Sequence, residues 1–143
     1  MSARFVIDAS ITMSWCFHDE VKPLTQQVLT ALQHGEAIVP AIWTLEVVNV
    51  LLVAERRGRI TRVHSEKFIA LLDKLPITVD TTSSQHISER MLALGRDYAL
   101  SSYDAAYLEL ALREGVPLVT LDQGLLTAVS ALGITPLPEA SGT

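Results

Sequence analysis

Five short apolar runs, each too brief to be a helix, alternate with helix-length segments, and that alternation limits the fold more than any other feature of the chain. The runs are Phe5-Val-Ile7, Ala37-Ile-Val-Pro40, Ile77-Thr-Val79, Leu118-Val-Thr-Leu121 and residues 134–137. Runs of this length between turn residues read as strands buried on both faces. Helices are predicted over 11–17, over 21–34 with Pro23 in the first turn, and over 43–57 with a stop at Gly58. Further helices follow from Thr61 to about Lys74, over 84–98, from Ser101 or Ser102 to Gly115, and over 125–132. Strand–helix–strand repeats require right-handed crossovers, hence a parallel sheet covered by helices. In such sheets a ligand lies beyond the carboxyl ends of the strands, where the strand order reverses.

With 143 residues the chain is expected to form one domain over 1–138 with a frayed tail over 139–143, and it carries no internal repeat or low-complexity linker. Charged residues make up 19%, below the roughly 25% of an average globular protein. Such a surface predicts that a partner or a second copy covers some apolar area. A formal net charge of −5 argues against broad coating of nucleic acid but leaves room for a local basic patch. Cys16 is the only cysteine, which excludes an internal disulfide and a thiolate metal cluster and suits a reducing compartment. The first residues pass straight into a strand pattern, and Glu46, Asn49 and Glu55 interrupt the longest apolar stretch. A cytoplasmic protein without a membrane span is therefore expected.

Four acids stand at element ends. Asp8 closes the first strand, Asp122 closes the fourth, Asp104 lies in the first turn of its helix, and Glu46 opens the helix that also carries Asn49 on the same face. Taken singly, each is what a helix start recruits, as a cap or as a first-turn charge favoured by the dipole. Taken together, carboxylates that converge raise one another's pKa unless a cation neutralises them. Oxygen donors without a nearby His or Cys set suit Mg²⁺ or Mn²⁺ rather than Zn²⁺, and such ions serve phosphodiester chemistry. Ser10 and Thr120 each lie two residues from an acid, so their hydroxyls can hold a metal-bound water or a phosphate; Thr120 equally suits a strand as a β-branched residue. No nucleophilic triad competes. Cys16 lacks a basic neighbour in sequence, and His18, His34, His64 and His86 fall on surface or loop segments.

The stretches Val6-Ile-Asp8-Ala-Ser10, Pro40-Ala-Ile-Trp-Thr-Leu-Glu46-Val-Val-Asn49, Leu100-Ser-Ser-Tyr-Asp104-Ala-Ala-Tyr-Leu-Glu-Leu-Ala and Leu118-Val-Thr120-Leu-Asp122-Gln-Gly-Leu-Leu span nearly the whole chain. In combination they resemble the PIN-domain ribonucleases, and among them the VapC-type toxins of toxin–antitoxin (VapBC) pairs. The resemblance implies a PIN-like three-layer α/β/α sandwich with a mainly parallel central sheet of about five strands in the order 3-2-1-4-5. It implies a single-strand-directed, Mg²⁺- or Mn²⁺-dependent endoribonuclease with Asp8, Glu46, Asp104 and Asp122 as catalytic metal ligands and Ser10, Asn49 and Thr120 as supporting polar residues. It also implies an RNA substrate, a homodimer, and a small antitoxin that wraps the helical groove, in some cases within a larger assembly. Gln123 and Gly124 stand where some relatives carry a further acid. One ion held by the protein and another arriving on the substrate is the expectation.

Arg56, Arg57, Arg59, Arg62 and Lys67 cluster around the turn between two helices, with His64 beside them. They read as RNA phosphate contacts with a steep salt dependence, as a partner-docking patch, or as a solvated turn. Trp15, Phe17, Trp43, Leu51, Leu52 and Val53 read as core or as a covered seam. A phospho-receiver domain is the main rival; Asp80 stands after the third strand as it requires, but no lysine occurs after Lys74. A haloacid-dehalogenase-like phosphatase wants an acid where Ser10 stands. A catalytically silent PIN-fold binding module is the remaining alternative.

Overall fold

The computed structural model describes residues 3–82 and 85–137, and among these seven helices alternate with four strands. The strands β1 (Arg4–Ile7), β2 (Glu36–Val39), β3 (Ile77–Val79) and β4 (Leu118–Val119) form one parallel sheet in the order β3-β2-β1-β4. β1 is central, and Phe5, Val6 and Ile7 are fully buried. Each such side chain contributes roughly 1.5–3 kcal/mol by leaving water. The chain lays β2 and β3 on one side of β1 and returns to place β4 on the other. The order therefore reverses between β1 and β4, and the crevice expected of an open α/β sheet opens beyond their carboxyl ends.

Local chemistry sets the helices. α1 (Ala9–Ser14) follows β1 directly, and α2 (Pro23–Leu32) starts on its proline. α3 (Ile42–Arg56) buries Trp43, Val47, Leu51 and Ala54, the spacing of one helical face. α4 (Arg62–Asp73) is capped by the Thr61 hydroxyl, which accepts the His64 N–H at 3.1 Å. α5 (Gln85–Tyr98) packs along α6 (Ser102–Glu114), and α6 packs on β1 and β4. Ser101 caps α6, and Gly115 ends it in the left-handed region at φ +66°, where a side chain would be strained. α7 (Gln123–Ala131) closes the described chain.

The predicted fifth strand does not form: residues 134–137 carry no strand, so the sheet has four. Pro136 has no N–H for a ladder, and the Ile134 N–H is taken by the Val129 carbonyl at 3.1 Å as α7 ends. Ile134 and Leu137 still pack against the core. The fourth strand stops at Val119 rather than Leu121 because the Leu121 and Asp122 N–H groups turn to side-chain hydroxyls. The first helix ends at Ser14, and a short 3-10 turn follows at His18–Glu20. Ser84 and the expected tail over 139–143 lie outside the described residues.

A charged lattice locks α5, α6 and the end of β3 together. Glu109, 3% exposed at its side chain, accepts from Arg90 at 2.9 Å and from Arg113 at 3.0 Å. Arg113 also reaches Asp80 at 3.0 Å. Burial pushes both acids up, but the hydrogen bonds from these arginines outweigh it and hold Glu109 and Asp80 below the usual carboxylate range. Asp80, the acid a receiver domain would phosphorylate, is thus spent on a structural ion pair. Among the described residues no helix is long and apolar enough to cross a membrane.

Candidate active site

Asp8 leaves β1 at the reversal point and caps α1, its Oδ1 accepting the Ile11 N–H at 3.2 Å. The same Oδ1 accepts the Ser10 hydroxyl at 2.6 Å, and Oδ2 accepts the Thr120 hydroxyl. Each hydroxyl in turn accepts a backbone donor from the loop after β4: Leu121 N–H to Ser10 Oγ at 3.0 Å, and Asp122 N–H to Thr120 Oγ1 at 2.9 Å. Two hydrogen-bond chains therefore run from the end of β4 and finish on one carboxylate that is only 5% exposed. Ser10 and Thr120 orient Asp8, with their protons committed to it.

The other acids approach from three further elements. Glu46, half-buried on α3, accepts the Tyr107 hydroxyl at 2.5 Å. Asp104 is half-buried in the first turn of α6, and Asp122 is exposed and caps α7 through Leu125 N–H at 2.9 Å. The capping reading holds for both Asp8 and Asp122. Burial pushes Asp8 above the ordinary carboxylate range against hydrogen bonds from Ser10, Thr120 and Ile11, and the charge of Asp104 adds to it. Glu46 is raised by burial, then by Asp104 and Asp8, while Tyr107 opposes the shift. Asp104 is raised by burial and by Asp122. Burial and the Glu46 carboxylate push the Tyr107 phenol far above its usual value, so it stays a proton donor.

The four acids thus share one electrostatic neighbourhood. Among the described residues, however, no group of three or more His, Cys, Asp or Glu side chains is gathered tightly enough to hold a metal ion. Asp8, Glu46 and Asp122 each have a carboxylate oxygen engaged by a protein donor. The donor set itself fits a hard divalent cation, being oxygen throughout, with a mutual repulsion that a cation relieves.

The remaining sequence candidates separate. Asn49 is exposed on α3, and its side chain makes no hydrogen bond among the described residues. Arg59 lies over the Phe17 ring at 3.9 Å and pairs with Asp19 at 3.0 Å, and Arg62 pairs with Glu66 at 3.0 Å. Arg56 and Arg57 sit at the far end of α3, about 15 Å along the axis from Glu46 at 1.5 Å per residue. Lys67 lines a separate cavity of about 460 Å³ with Cys16 and His64. There the structure corrects the view of Cys16 as lacking a basic partner, because His64 Nε2 stands 3.7 Å from its sulfur. Burial pushes that thiol up to about 11, the opposite of an activated nucleophile. Phe17, Trp43 and Leu51 are core, whereas Leu52 is 42% exposed. Sequence reasoning missed Tyr107. Its position three residues after Asp104, on the same face of α6, was the available signal.

Residues 5–130 match the PIN domain family. Among solved structures, the chain is similar to PAE2754 from Pyrobaculum aerophilum at 23% identity and a TM-score of 0.59, covering 90% of this chain and 87% of that one. It is similar to a toxin–antitoxin complex from Klebsiella pneumoniae at 24% identity and a TM-score of 0.55, with 85% and 87% covered. It is also similar to Mycobacterium tuberculosis VapC20, described as a toxin that cleaves the sarcin–ricin loop, at 12% identity and a TM-score of 0.62, with 93% and 98% covered. Comparison with curated proteins finds no match.

Proposed function

The chain belongs to the PIN domain family, and from that premise we propose that it is a divalent-cation-dependent endoribonuclease acting as the toxin of a toxin–antitoxin pair. The observation that carries the reading is the set of four acids from separate elements around the one point where the strand order reverses, with Asp8, Glu46 and Asp104 raised by burial and further by their carboxylate neighbours. Asp8, Glu46, Asp104 and Asp122 would hold Mg²⁺ or Mn²⁺. Such an ion, when bound, lowers the pKa of water and neutralises charge developing on a phosphodiester. Ser10 and Thr120 hold Asp8 in one orientation, and Tyr107 does the same for Glu46. One carboxylate of the set would accept the proton of the attacking water.

The toxin role rests on the kinship with the Klebsiella complex and with VapC20. Leu45, Val48 and Leu52 leave an apolar strip on α3, 66%, 40% and 42% exposed, which supports a covering antitoxin or second copy. A reducing, cytoplasmic setting suits the free Cys16. The test is cleavage of a single-stranded RNA by the purified protein in Mn²⁺ or Mg²⁺ and in chelator. Activity that needs the cation and vanishes in Asp104→Asn is expected. Undiminished cleavage in chelator, or a fully active Asp104→Asn, would overturn the reading.

A further inference from the structure

Next to the acids, a cleft of about 240 Å³ opens between the start of α1, the 3-10 turn and α3. Its volume is below the roughly 300 Å³ at which pockets for drug-sized ligands begin. Two of its lining residues belong to the site itself: Ser10, which donates to Asp8, and Leu121, whose N–H binds Ser10. The floor is apolar, from Met13, Phe17 and Val50.

The cleft presents two cations of different character. Arg59 is held as a plate, its guanidinium 3.9 Å from the Phe17 ring centre, with Asp19 at 3.0 Å and Glu20 at 3.8 Å offsetting its charge. Guanidinium planes of this kind stack on nucleobases. Lys22 is exposed and lines the same cleft, and its ammonium has no hydrogen bond or ion pair among the described residues, its hydrogen bonds to Thr25 and Gln26 being made by its backbone. It is the uncompensated charge there, since Glu20 answers Arg59. An apolar floor, a flat cation and a free ammonium beside a phosphodiester-cutting centre match one unpaired nucleotide: base on the plate, phosphate on the lysine. We propose that this cleft is the subsite for the single-stranded RNA nucleotide flanking the scissile phosphate, with Arg59 as its stacking plate and Lys22 as its phosphate contact. The assignment rests on the nuclease reading for its location. It also gives a chain of net charge −5 a phosphate contact that does not depend on Arg56 and Arg57 at the far end of α3.

The test is binding of a fluorescently labelled single-stranded RNA eight-mer by anisotropy, with cleavage read on the same samples, for the intact protein and for Lys22→Ala, Lys22→Glu and Arg59→Met. Lys74→Glu, remote on the end of α4, controls for net charge. Losing one single-strand phosphate contact flattens the log–log salt slope by about 0.7, which is about five-fold in affinity at ~0.1 M salt. Lys22→Ala is expected to show both, Lys22→Glu a larger loss, and Arg59→Met at least ~5-fold weaker binding with a nearly unchanged salt slope. Lys74→Glu should stay within about two-fold, being far from any phosphate contact. A protein that binds and cuts RNA equally well with all three variants would overturn the subsite and leave the nuclease reading standing. Binding through Lys22 and Arg59 without any cleavage would overturn the nuclease reading and leave the cleft as a single-stranded RNA binding site. Failure to bind RNA at all would overturn both.

Discussion

Replacing Tyr107 by Phe removes one oxygen and leaves the ring in place, which isolates a single contact. Tyr107 is 1% exposed, and its hydroxyl donates to Glu46 Oε1 at 2.5 Å. A hydrogen bond to a charged acceptor contributes about 1.5–3 kcal/mol net. Glu46 is only half-buried, so water replaces part of what is lost and the lower end applies. About 1.5 kcal/mol corresponds to roughly ten-fold in an equilibrium or rate constant. The expected result is a cation half-saturation point for cleavage raised about ten-fold, with kcat largely recovered when Mn²⁺ is saturating, because the carboxylate remains and only its orientation is freed. The melting temperature of the cation-free protein should fall by about 3–6 °C, at roughly 2–4 °C per kcal/mol in a chain of this size. Tyr103→Phe is the control, since Tyr103 sits on the same helix with its side chain 57% exposed. A Tyr107→Phe protein whose cation requirement and melting temperature both match those of the parent would refute the reasoning that this hydroxyl holds Glu46.

Three further outcomes follow from the same contacts. Asp104→Asn should abolish cleavage yet raise the melting temperature of the cation-free protein by up to about 3 °C, by removing a repelled half-buried charge. Because the folded pKa of Asp104 is raised, its ionisation costs stability as pH climbs through that value; the gap between variant and parent should therefore close as pH falls through the raised range, which melts at several pH values would check. Thr120→Val keeps the β-branched shape but leaves the Asp122 N–H and an Asp8 oxygen without their partner, costing about 1–3 kcal/mol in denaturant unfolding. An unchanged midpoint would show that only strand preference matters there. Glu109→Gln should cost about 3 kcal/mol by leaving Arg90 without its carboxylate and Arg113 with Asp80 alone. Glu109 has a lowered folded pKa, so its contribution is present above the ordinary carboxylate pKa and disappears on acidification through the folded value, making the variant and the parent converge at low pH.

Much of the architecture was legible because local chemistry agreed with the global fold. Thr61 and Ser101 cap where their positions predicted, and Gly58 and Gly115 stop their helices in left-handed conformations. Asp8, Asp104 and Asp122 stand at helix starts as the sequence suggests, whereas Glu46, expected to open its helix, lies beyond the first turn of α3 because that helix begins at Ile42. The failures have physical causes of another kind. Residues 134–137 looked apolar enough for a strand, but Pro136 denies them a ladder. Leu121 was counted in β4 until its N–H proved to belong to a serine 111 positions away. The Tyr107–Glu46 bond spans 61 positions and the Arg113–Asp80 pair 33. No local pattern encodes such partners, because they exist only once helices are packed.

The two hydroxyl chains that finish on Asp8 have a consequence for synthesis. Thr120 lies 112 positions after Asp8, and β4, which brings it there, pairs with β1 across nearly the same interval. A ribosome-bound chain that has released only its first hundred residues carries neither the partner strand nor Asp104 nor Asp122. Its early acids are then solitary carboxylates on an unfinished sheet. The four acids can come together only once β4 has docked against β1.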